Sequence, residues 1–317
     1  MAKYYDKIAD TKSITKEEWL ELRKSGIGGS DAGAVVGLNP YTSAYSVYHE
    51  KLSLVEAFEG NDKTRLGTDL EDYVAKRFEE YTGKRVRRLN AMLRSKAYPY
   101  MLADVDRMII GEDAGLECKT TANHENYKFD EGEYPAYWAC QCYHYLAVTG
   151  AKRWYLCVLD LSSGKIAVIT IERDENEINA LVQMEKSFWE NNVVSKVCPT
   201  PNGDERCDEI IAEKYPQADE SAPIIDLMAY SKELSRLAEV KSTIKALENE
   251  KSAIEQTIKE CLGNSHTGEY GIYKITYKNS VSQRVDLKKL KAERPDIYAT
   301  YAVPQSVRKF LLTVKNK

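Results

Sequence analysis

The chain has 317 residues, of which 43% are hydrophobic and 30% charged, and its formal net charge is −4. This length and composition predict a folded globular protein with one large domain or two smaller ones. No stretch approaches the roughly 20 apolar residues of a membrane span, and the N-terminus lacks the apolar core of a signal peptide. The seven scattered cysteines lack the spacing of zinc or iron–sulfur ligands and favour reduced thiols in a cytoplasm.

Positive charge is concentrated in two segments of this acidic chain. Residues 274–317 contain eleven lysines and arginines against three acids, and residues 84–96 contain six basic residues and no acid. Local basic patches of this kind suit the binding of nucleic-acid phosphates. An ordinary solvated surface is the alternative for either patch.

The first helix is expected over residues 15–25, where Thr15 begins a capping box. A glycine-rich loop follows at residues 26–32. Its free backbone N–H groups, the hydroxyl of Ser30 and the guanidinium of Arg23 would suit an anion such as a phosphate. The alternative is that Ser30 and its neighbour simply cap the next helix.

Residues 66–81 form a predicted amphipathic helix, since apolar residues recur there at spacings of three and four. Glu71 lies near the buried edge of this helix and is a candidate third carboxylate, although an ordinary surface acid is the simpler interpretation. A strand is expected over residues 86–93, with its arginines exposed.

Residues 103–119 predict a β-hairpin. An apolar run at 108–110 and a second short strand at 116–119 flank a turn rich in Gly and Asp. Side chains on a strand alternate between its faces, so Glu117 and Lys119 should share one face while Cys118 points into the core.

The charged residues of this hairpin suit metal-dependent chemistry. Asp104 and Asp106 on the first strand can converge with Glu117 and Lys119 on the second. Carboxylate oxygens are ligands of hard cations such as Mg²⁺ or Mn²⁺. A lysine beside the metal can orient a water or offset charge that develops on a phosphate. The alternative is a solvated charged hairpin, because this spacing also occurs by accident.

An aromatic-rich helix is expected over residues 134–148, and it places Gln141 and Tyr145 on one face. These two side chains could contact a phosphate or nucleotide, or merely complete the packing. Two strands at 154–160 and 166–172 form a second hairpin, and a helix over 174–192 follows.

The C-terminal part of the chain differs in composition. Residues 195–224, with many prolines and acids, predict a linker. Residues 225–263 predict a long helix with a coiled-coil-like apolar seam, either a free arm or one packed on the body. Residues 264–317 predict a small basic α/β module, with strands at 270–277 and 310–314.

With these motifs in order, the sequence resembles the YqaJ-type viral recombinase family, relatives of phage lambda exonuclease in the PD-(D/E)xK nuclease superfamily. The resemblance covers about residues 15–192. It rests on R-K-S-G-I-G-G-S-D-A with N-P-Y, on G-T-D-L-E, on the Asp106…Glu117-Cys118-Lys119 hairpin and on Q-C-Y-H-Y-L-A-V-T-G. It implies an α/β (α+β) fold in residues 1–194, with a restriction-endonuclease-like central mixed sheet flanked by helices.

The resemblance also implies roles for individual residues. Catalytic and metal-binding roles are implied for Glu71, Asp106, Glu117, Lys119 and the backbone carbonyl of Cys118, with Glu71 serving a second ion. Binding of a 5′-terminal phosphate or of DNA is implied for Arg23, Ser30, Gln141 and Tyr145. The chain departs from the family pattern at Arg107, where glycine is common, and this leaves Asp104 as an alternative to Asp106.

The implied activity is a 5′-to-3′ exonuclease on double-stranded DNA that uses Mg²⁺ or Mn²⁺, two ions per site. It would resect ends to 3′ overhangs for a single-strand annealing protein of the RecT or Bet kind. The family further implies a homotrimer and a phage or prophage gene expressed in the cytoplasm of a bacterial host. The alternatives are an endonuclease of the same fold and a non-catalytic DNA-binding or recombinase-loading module.

Overall fold

The computed structural model describes residues 4–55, 60–122, 128–304 and 307–314. The chain forms two compact units, Met1–Tyr215 and Pro216–Lys317. The elements of the first unit are β1 (Tyr5–Asp10), α1 (Lys16–Lys24), α2 (Gly29–Val35), α3 (Ala44–Lys51), α4 (Asp62–Thr82), β2 (Val86–Arg87), β3 (Ala91–Ser95), β4 (Leu102–Asp104), β5 (Arg107–Ile109), β6 (Ala114–Thr121), α5 (Ala136–Thr149), β7 (Arg153–Asp160), β8 (Ile166–Glu172), α6 (Glu175–Phe188) and α7 (Glu205–Lys214).

The main sheet has five strands in the order β2-β5-β6-β7-β8. Strands β6 and β7 are parallel, with Glu117 paired to Leu156 and Lys119 to Val158, and the other pairs are antiparallel. A parallel pair needs a crossover connection, and α5 supplies it. The sheet is therefore mixed, as the family resemblance implies.

Helices cover both faces of this sheet. Helix α4 packs Val74 and Phe78 against Leu116 and Tyr155 on one face. Helix α5 packs on the other face, in a core that includes Trp154. Sheets covered on both sides have strands without strict polar alternation. This explains why Glu117 is as buried as the apolar residues beside it.

The strand predicted over residues 86–93 is wrong as one element. Asn90 adopts a left-handed conformation (φ 49°) and redirects the chain. Strand β2 therefore pairs with β5 in the main sheet, whereas β3 joins a separate antiparallel sheet of order β1-β3-β4.

The helix ends follow local signals in the sequence. Thr15 and Glu18 form the predicted capping box of α1. Helix α4 begins earlier than its apolar pattern, because Asn61 accepts the N–H groups of Lys63 and Thr64. It ends at Gly83, whose φ of 70° closes the last turn at no steric cost.

The first compact unit continues into the predicted linker of residues 195–224. Helix α7 buries Cys207 and Ile210 in a small cluster with Tyr45 and Val55. Helix α7 has only two buried apolar residues in an acidic segment, so the apolar periodicity of a helix is weak there. This is why the composition of the segment predicts a linker instead.

The second unit contains α8 (Ser231–Leu262), the hairpin β9 (Thr267–Tyr270) and β10 (Tyr273–Thr276), α9 (Leu287–Glu293) and α10 (Pro295–Tyr301). The 32 residues of α8 include no buried side chain. The strand predicted at 310–314 is wrong, because these residues have no regular secondary structure and β9 and β10 pair with each other. Within the described ranges, no helix is long and apolar enough to cross a membrane. All seven cysteines are free thiols.

Candidate active site

Most of the predicted site residues meet in one cleft of about 450 Å³ in the first unit. The cleft lies where α1, α2, α4 and α5 approach β4 and β5. The predicted residues that line it are Arg23, Ser30, Glu71, Asp104, Asp106, Gln141 and Tyr145.

Glu117 and Lys119 are connected to the cleft by hydrogen bonds to Gln141, which lines it. The Nζ of Lys119 lies 2.7 Å from Oε1 of Glu117 and donates to Oε1 of Gln141 at 2.9 Å. The Nε2 of Gln141 donates to the same Glu117 oxygen at 2.7 Å and to the Tyr145 hydroxyl at 3.0 Å. The predicted faces of β6 and α5 are thus joined in one polar network.

The second oxygen of Glu117 lacks a partner. Its Oε2 is buried and accepts no hydrogen bond from the described residues. Burial raises the pKa of Glu117, although Lys119 opposes the rise. Burial, and then the nearby carboxylates of Glu117 and Glu71, raise the pKa of Asp106 well above its ordinary value. A cation at this point would relieve both penalties.

Asp106, rather than Asp104, lies beside the second strand of the hairpin. Its Oδ2 accepts the backbone N–H of Cys118 at 2.8 Å. The carboxylate of Asp104 instead accepts the indole N–H of Trp19 at 2.8 Å. Geometry therefore favours Asp106 as the carboxylate that acts with Glu117.

Arg107 is a central residue of the cleft whose contacts the sequence does not predict. Its side chain is only 4% exposed and forms ion pairs with Glu71 and Asp72 of α4. Its Nη1 also donates to the backbone carbonyl of Asp106 at 2.6 Å. The one available signal is that a charged residue stands next to a candidate metal ligand.

A second charged network holds the glycine-rich loop. The Nη2 of Arg23 donates to Ser30 Oγ at 2.9 Å and to Asp31 at 2.8 Å. The buried Nζ of Lys51 contacts Asp31 at 2.6 Å and the carbonyl of Arg23 at 2.9 Å. Although burial opposes ionisation, Lys51 and then Arg23 hold the pKa of Asp31 well below its usual range.

The capping interpretation of this loop is confirmed for Asp31, and the phosphate-binding interpretation stays a prediction. Asp31 accepts the N–H of Gly28 at 2.9 Å and so caps α2, while Ser30 faces Arg23. A Cβ on Gly29 would lie 2.4 Å from the ring of Tyr145, so only glycine lets the loop approach α5 this closely. The sequence gives no sign of Lys51, because it lies twenty residues from Asp31 on another helix.

The residues present fit one hard divalent cation. No group of three or more His, Cys, Asp or Glu side chains in the described part of the chain is arranged to hold a metal ion. Mg²⁺, however, commonly takes one or two protein carboxylates and completes its shell with water and substrate oxygens. Asp106 and Glu117, with the unpartnered oxygen of Glu117, meet that requirement.

Comparison with known sequences identifies the family. The profile described as YqaJ-like viral recombinase domain matches residues 18–152. The Uncharacterized protein YqaJ of Bacillus subtilis (strain 168) is 34% identical over 307 residues, which cover 96% of each chain. The chain belongs to the YqaJ family.

Three of the solved structures that are similar to this YqaJ-family chain are exonucleases by name. LHK-Exo, an alkaline exonuclease from Laribacter hongkongensis that was also solved in complex with dAMP, is 18% identical, with a TM-score of 0.49, and covers 63% of this chain and 100% of its own. A phage related exonuclease from Haemophilus somnus 129PT is 13% identical, with a TM-score of 0.44, and covers 56% and 99%. TM-scores below 0.5 carry no argument about this chain, so its family is assigned from the sequence match to YqaJ. Membership of the YqaJ family supports a nuclease enzyme.

Proposed function

We propose that this YqaJ-family protein is a metal-dependent deoxyribonuclease that degrades linear duplex DNA from its 5′ ends and leaves 3′ overhangs. The observation that carries the proposal is the single cleft. It brings the carboxylate and lysine of β6 within two hydrogen bonds of Tyr145, whose ring touches the loop of Arg23 and Ser30. The residues proposed to bind phosphate are therefore adjacent to those proposed to hydrolyse it.

The proposed cofactor is Mg²⁺ or Mn²⁺, held by Asp106, Glu117 and the backbone carbonyl of Cys118. When bound, such an ion lowers the pKa of a water ligand and neutralises charge on the scissile phosphate. The family resemblance gives Glu71 to a second ion, but Glu71 is already paired with the guanidinium of Arg107.

The remaining side chains of the site position the reacting groups and stabilise the charge on the phosphate. Although burial disfavours its charge, Glu117 raises the pKa of Lys119, so this lysine stays cationic and can orient the attacking water or offset phosphate charge. Gln141 holds Glu117 and Lys119 together. Tyr145 donates to the carbonyl of Asp104 at 3.1 Å and so ties Gln141 to the end of β4.

The 5′-terminal phosphate is proposed to bind between Arg23 and Ser30. The side chain of Arg23 is 28% exposed and its guanidinium lies 5.0 Å from the Trp19 ring centroid, which limits its rotation. A guanidinium carries five N–H donors, so its Nη2 contacts leave others to bind phosphate. This pocket would confer 5′ polarity.

The proposed setting follows from the family description as a viral recombinase. The 3′ overhangs would serve a single-strand annealing protein of the RecT or Bet kind. The protein would act in the cytoplasm of a bacterial host, encoded by a phage or prophage, and a homotrimer could enclose the DNA.

The test compares linear duplex with closed circular DNA, in Mg²⁺ and in EDTA. We expect the wild type to degrade only the linear substrate, only with metal, and Glu117→Ala to lose the activity. The matched control is Glu133→Ala, an exposed acid outside the cleft. Cleavage of the circle would indicate an endonuclease. DNA binding without hydrolysis in any divalent metal would indicate a loading module.

A further inference from the structure

The guanidinium of Arg107 lies buried among the acids of the cleft. Its two Nη atoms contact Glu71 and Asp72, which are consecutive residues of α4, and the carbonyl of Asp106. Arginine is almost never buried unless its charge is paired. Of the two acids that it contacts, Glu71 is the one whose charge raises the pKa of both Asp106 and Glu117.

The fold holds this guanidinium in place. Arg107 begins β5, an inner strand of the main sheet, and pairs with Leu116, the residue before Glu117. Glu71 and Asp72 are 26% and 73% exposed, so Arg107 is the buried member of both pairs, and a buried charge of this kind is stable only while its partners stay in place. The guanidinium is therefore a permanent positive charge of the cleft.

Charge balance limits how many metal ions the cleft can take. The five carboxylates in and around the cleft face four cationic side chains, so one negative charge remains. The carboxylates are Glu71, Asp72, Asp104, Asp106 and Glu117, and the cations are Arg23, Arg88, Arg107 and Lys119. One divalent ion leaves a single positive charge, which one DNA phosphodiester neutralises. A second ion would add two uncompensated charges beside a guanidinium.

We propose that Arg107 takes the place of a second metal ion beside Glu71, so that the cleft binds one divalent cation per chain. This inference rests on the proposed nuclease function and specifies its cofactor stoichiometry. Arg107 keeps Glu71 engaged, and Asp106 and Glu117 hold the single ion. The guanidinium then supplies from the protein the positive charge that a second ion would otherwise supply.

The test is the number of Mn²⁺ ions bound per full-length chain, measured from the electron paramagnetic resonance signal of free Mn²⁺. The titration is run with and without a 5′-phosphorylated duplex whose terminal linkages are phosphorothioates, which slow hydrolysis. We expect one ion per chain in both conditions. Two ions per wild-type chain in either condition would overturn the proposal.

Three variants test whether Arg107 determines the number of bound ions. Arg107→Ala should bind two ions, and Arg107→Lys, which keeps the charge, should bind one. If Arg107→Ala folds, by circular dichroism, and still binds one ion, the proposal is overturned. Glu71→Gln decides the case if Arg107→Ala does not fold. Glu71→Gln should still bind one Mn²⁺ ion, with an affinity within about threefold of the wild type. Loss of that ion, or an affinity about tenfold weaker, would contradict the proposal.

Failure of the inference and failure of the function are separate results. Two bound ions with hydrolysis of linear duplex would overturn the role of Arg107 alone. One bound ion without hydrolysis would overturn the nuclease function and leave the stoichiometry standing.

Discussion

At the residue scale, Asp106 and Glu117 lie where their own ionisation is unfavourable. The ordinary pKa of an aspartate, 3.8, is raised at Asp106 by burial and by the carboxylates of Glu117 and Glu71. Below that ordinary value, the folded and unfolded states both hold the proton. As pH rises past it, the unfolded chain ionises first, so the metal-free protein loses stability until the raised native pKa is passed.

Removing the charge of Asp106 should therefore stabilise the metal-free protein. We expect Asp106→Asn to raise the free energy of unfolding at pH 7 by about 1–3 kcal/mol, since its side-chain oxygen can still accept the Cys118 N–H. Mg²⁺ should raise the melting temperature of the wild type but not of this variant. The measurement is urea and thermal unfolding in EDTA and in Mg²⁺.

The control is Asp69→Asn, an exposed acid on α4. It should respond to Mg²⁺ as the wild type does. A destabilised Asp106→Asn protein, or one that still gains stability from Mg²⁺, would contradict a metal site at this carboxylate.

Arg23 allows a second prediction at this scale. Charge-assisted hydrogen bonds are typically worth about 1.5–3 kcal/mol, so a 5′-phosphate should favour degradation by about tenfold or more over a 5′-hydroxyl end. Arg23→Ala should reduce this preference to less than about twofold. Initial rates on the two matched duplexes provide the measurement.

Lys24→Ala is the matched control, because Lys24 is the next residue and pairs with Glu21 at 2.5 Å. It should keep the wild-type preference. If Arg23→Ala also kept it, the 5′-phosphate would bind elsewhere.

At the element scale, a buried His–Glu pair joins α5 to α6 and β4. The Nδ1 of His144 lies 2.8 Å from Glu185, and its Nε2 lies 2.8 Å from the carbonyl of Leu102. Although burial disfavours its charge, Glu185 raises the pKa of His144 above 6.5. The stability gained from this pair is fully present below pH 6.5 and is lost as pH rises through the raised native pKa.

His144→Ala should cost about 3–5 kcal/mol at pH 6, because it leaves Glu185 buried without a partner. The cost should shrink as pH rises through the native pKa of His144. Urea unfolding at several pH values measures it. Lys186→Ala, on the exposed side of α6 next to Glu185, should change stability by less than about 0.5 kcal/mol. Equal effects of the two substitutions would show that the pair does not join these elements.

The elements that the sequence predicts are those with strong local signals. The hairpin around Gly111, the capping box at Thr15 and the terminating Gly83 follow from turn and cap chemistry. The break at Asn90 has no such signal, since its left-handed backbone depends on the two sheets it joins. The interior burial of Glu117 also depends on helices far away in the sequence.

The sequence predicts which residue types form the site, but it does not predict which of them form ion pairs with each other. Spacing within the hairpin predicts that Glu117 and Lys119 meet. It does not predict that Arg107 turns inward to Glu71, because that contact joins a strand to a helix 36 residues earlier. The role of Lys51 is hidden for the same reason: long-range ion pairs have no local pattern.

At the scale of the whole molecule, the chain divides at Tyr215 into two units. The first has its own hydrophobic core and contains the entire cleft. In the second, the basic residues of 274–317 exceed the acids by eight. We expect residues 1–215 to fold and hydrolyse DNA alone, and the second unit to add electrostatic affinity.

A truncated protein of residues 1–215 tests this division. It should bind duplex DNA more weakly, and its log Kd should depend less steeply on log salt, by about 0.9 for each DNA phosphate that the second unit neutralises in the full-length protein. Fluorescence anisotropy at several salt concentrations, in EDTA, provides both quantities. An unchanged salt dependence would show that the basic segment does not bind DNA.

The proposed 5′-to-3′ polarity is tested most directly by following each strand of one linear duplex separately. Two preparations of the duplex carry 5′-phosphates and an internal label on one or the other strand, and products are resolved at single-nucleotide length over time in Mg²⁺. We expect both strands to shorten progressively from their 5′ ends while the 3′-terminal sequences persist as overhangs. Shortening from the 3′ ends, or cuts at internal positions before the ends are lost, would contradict it.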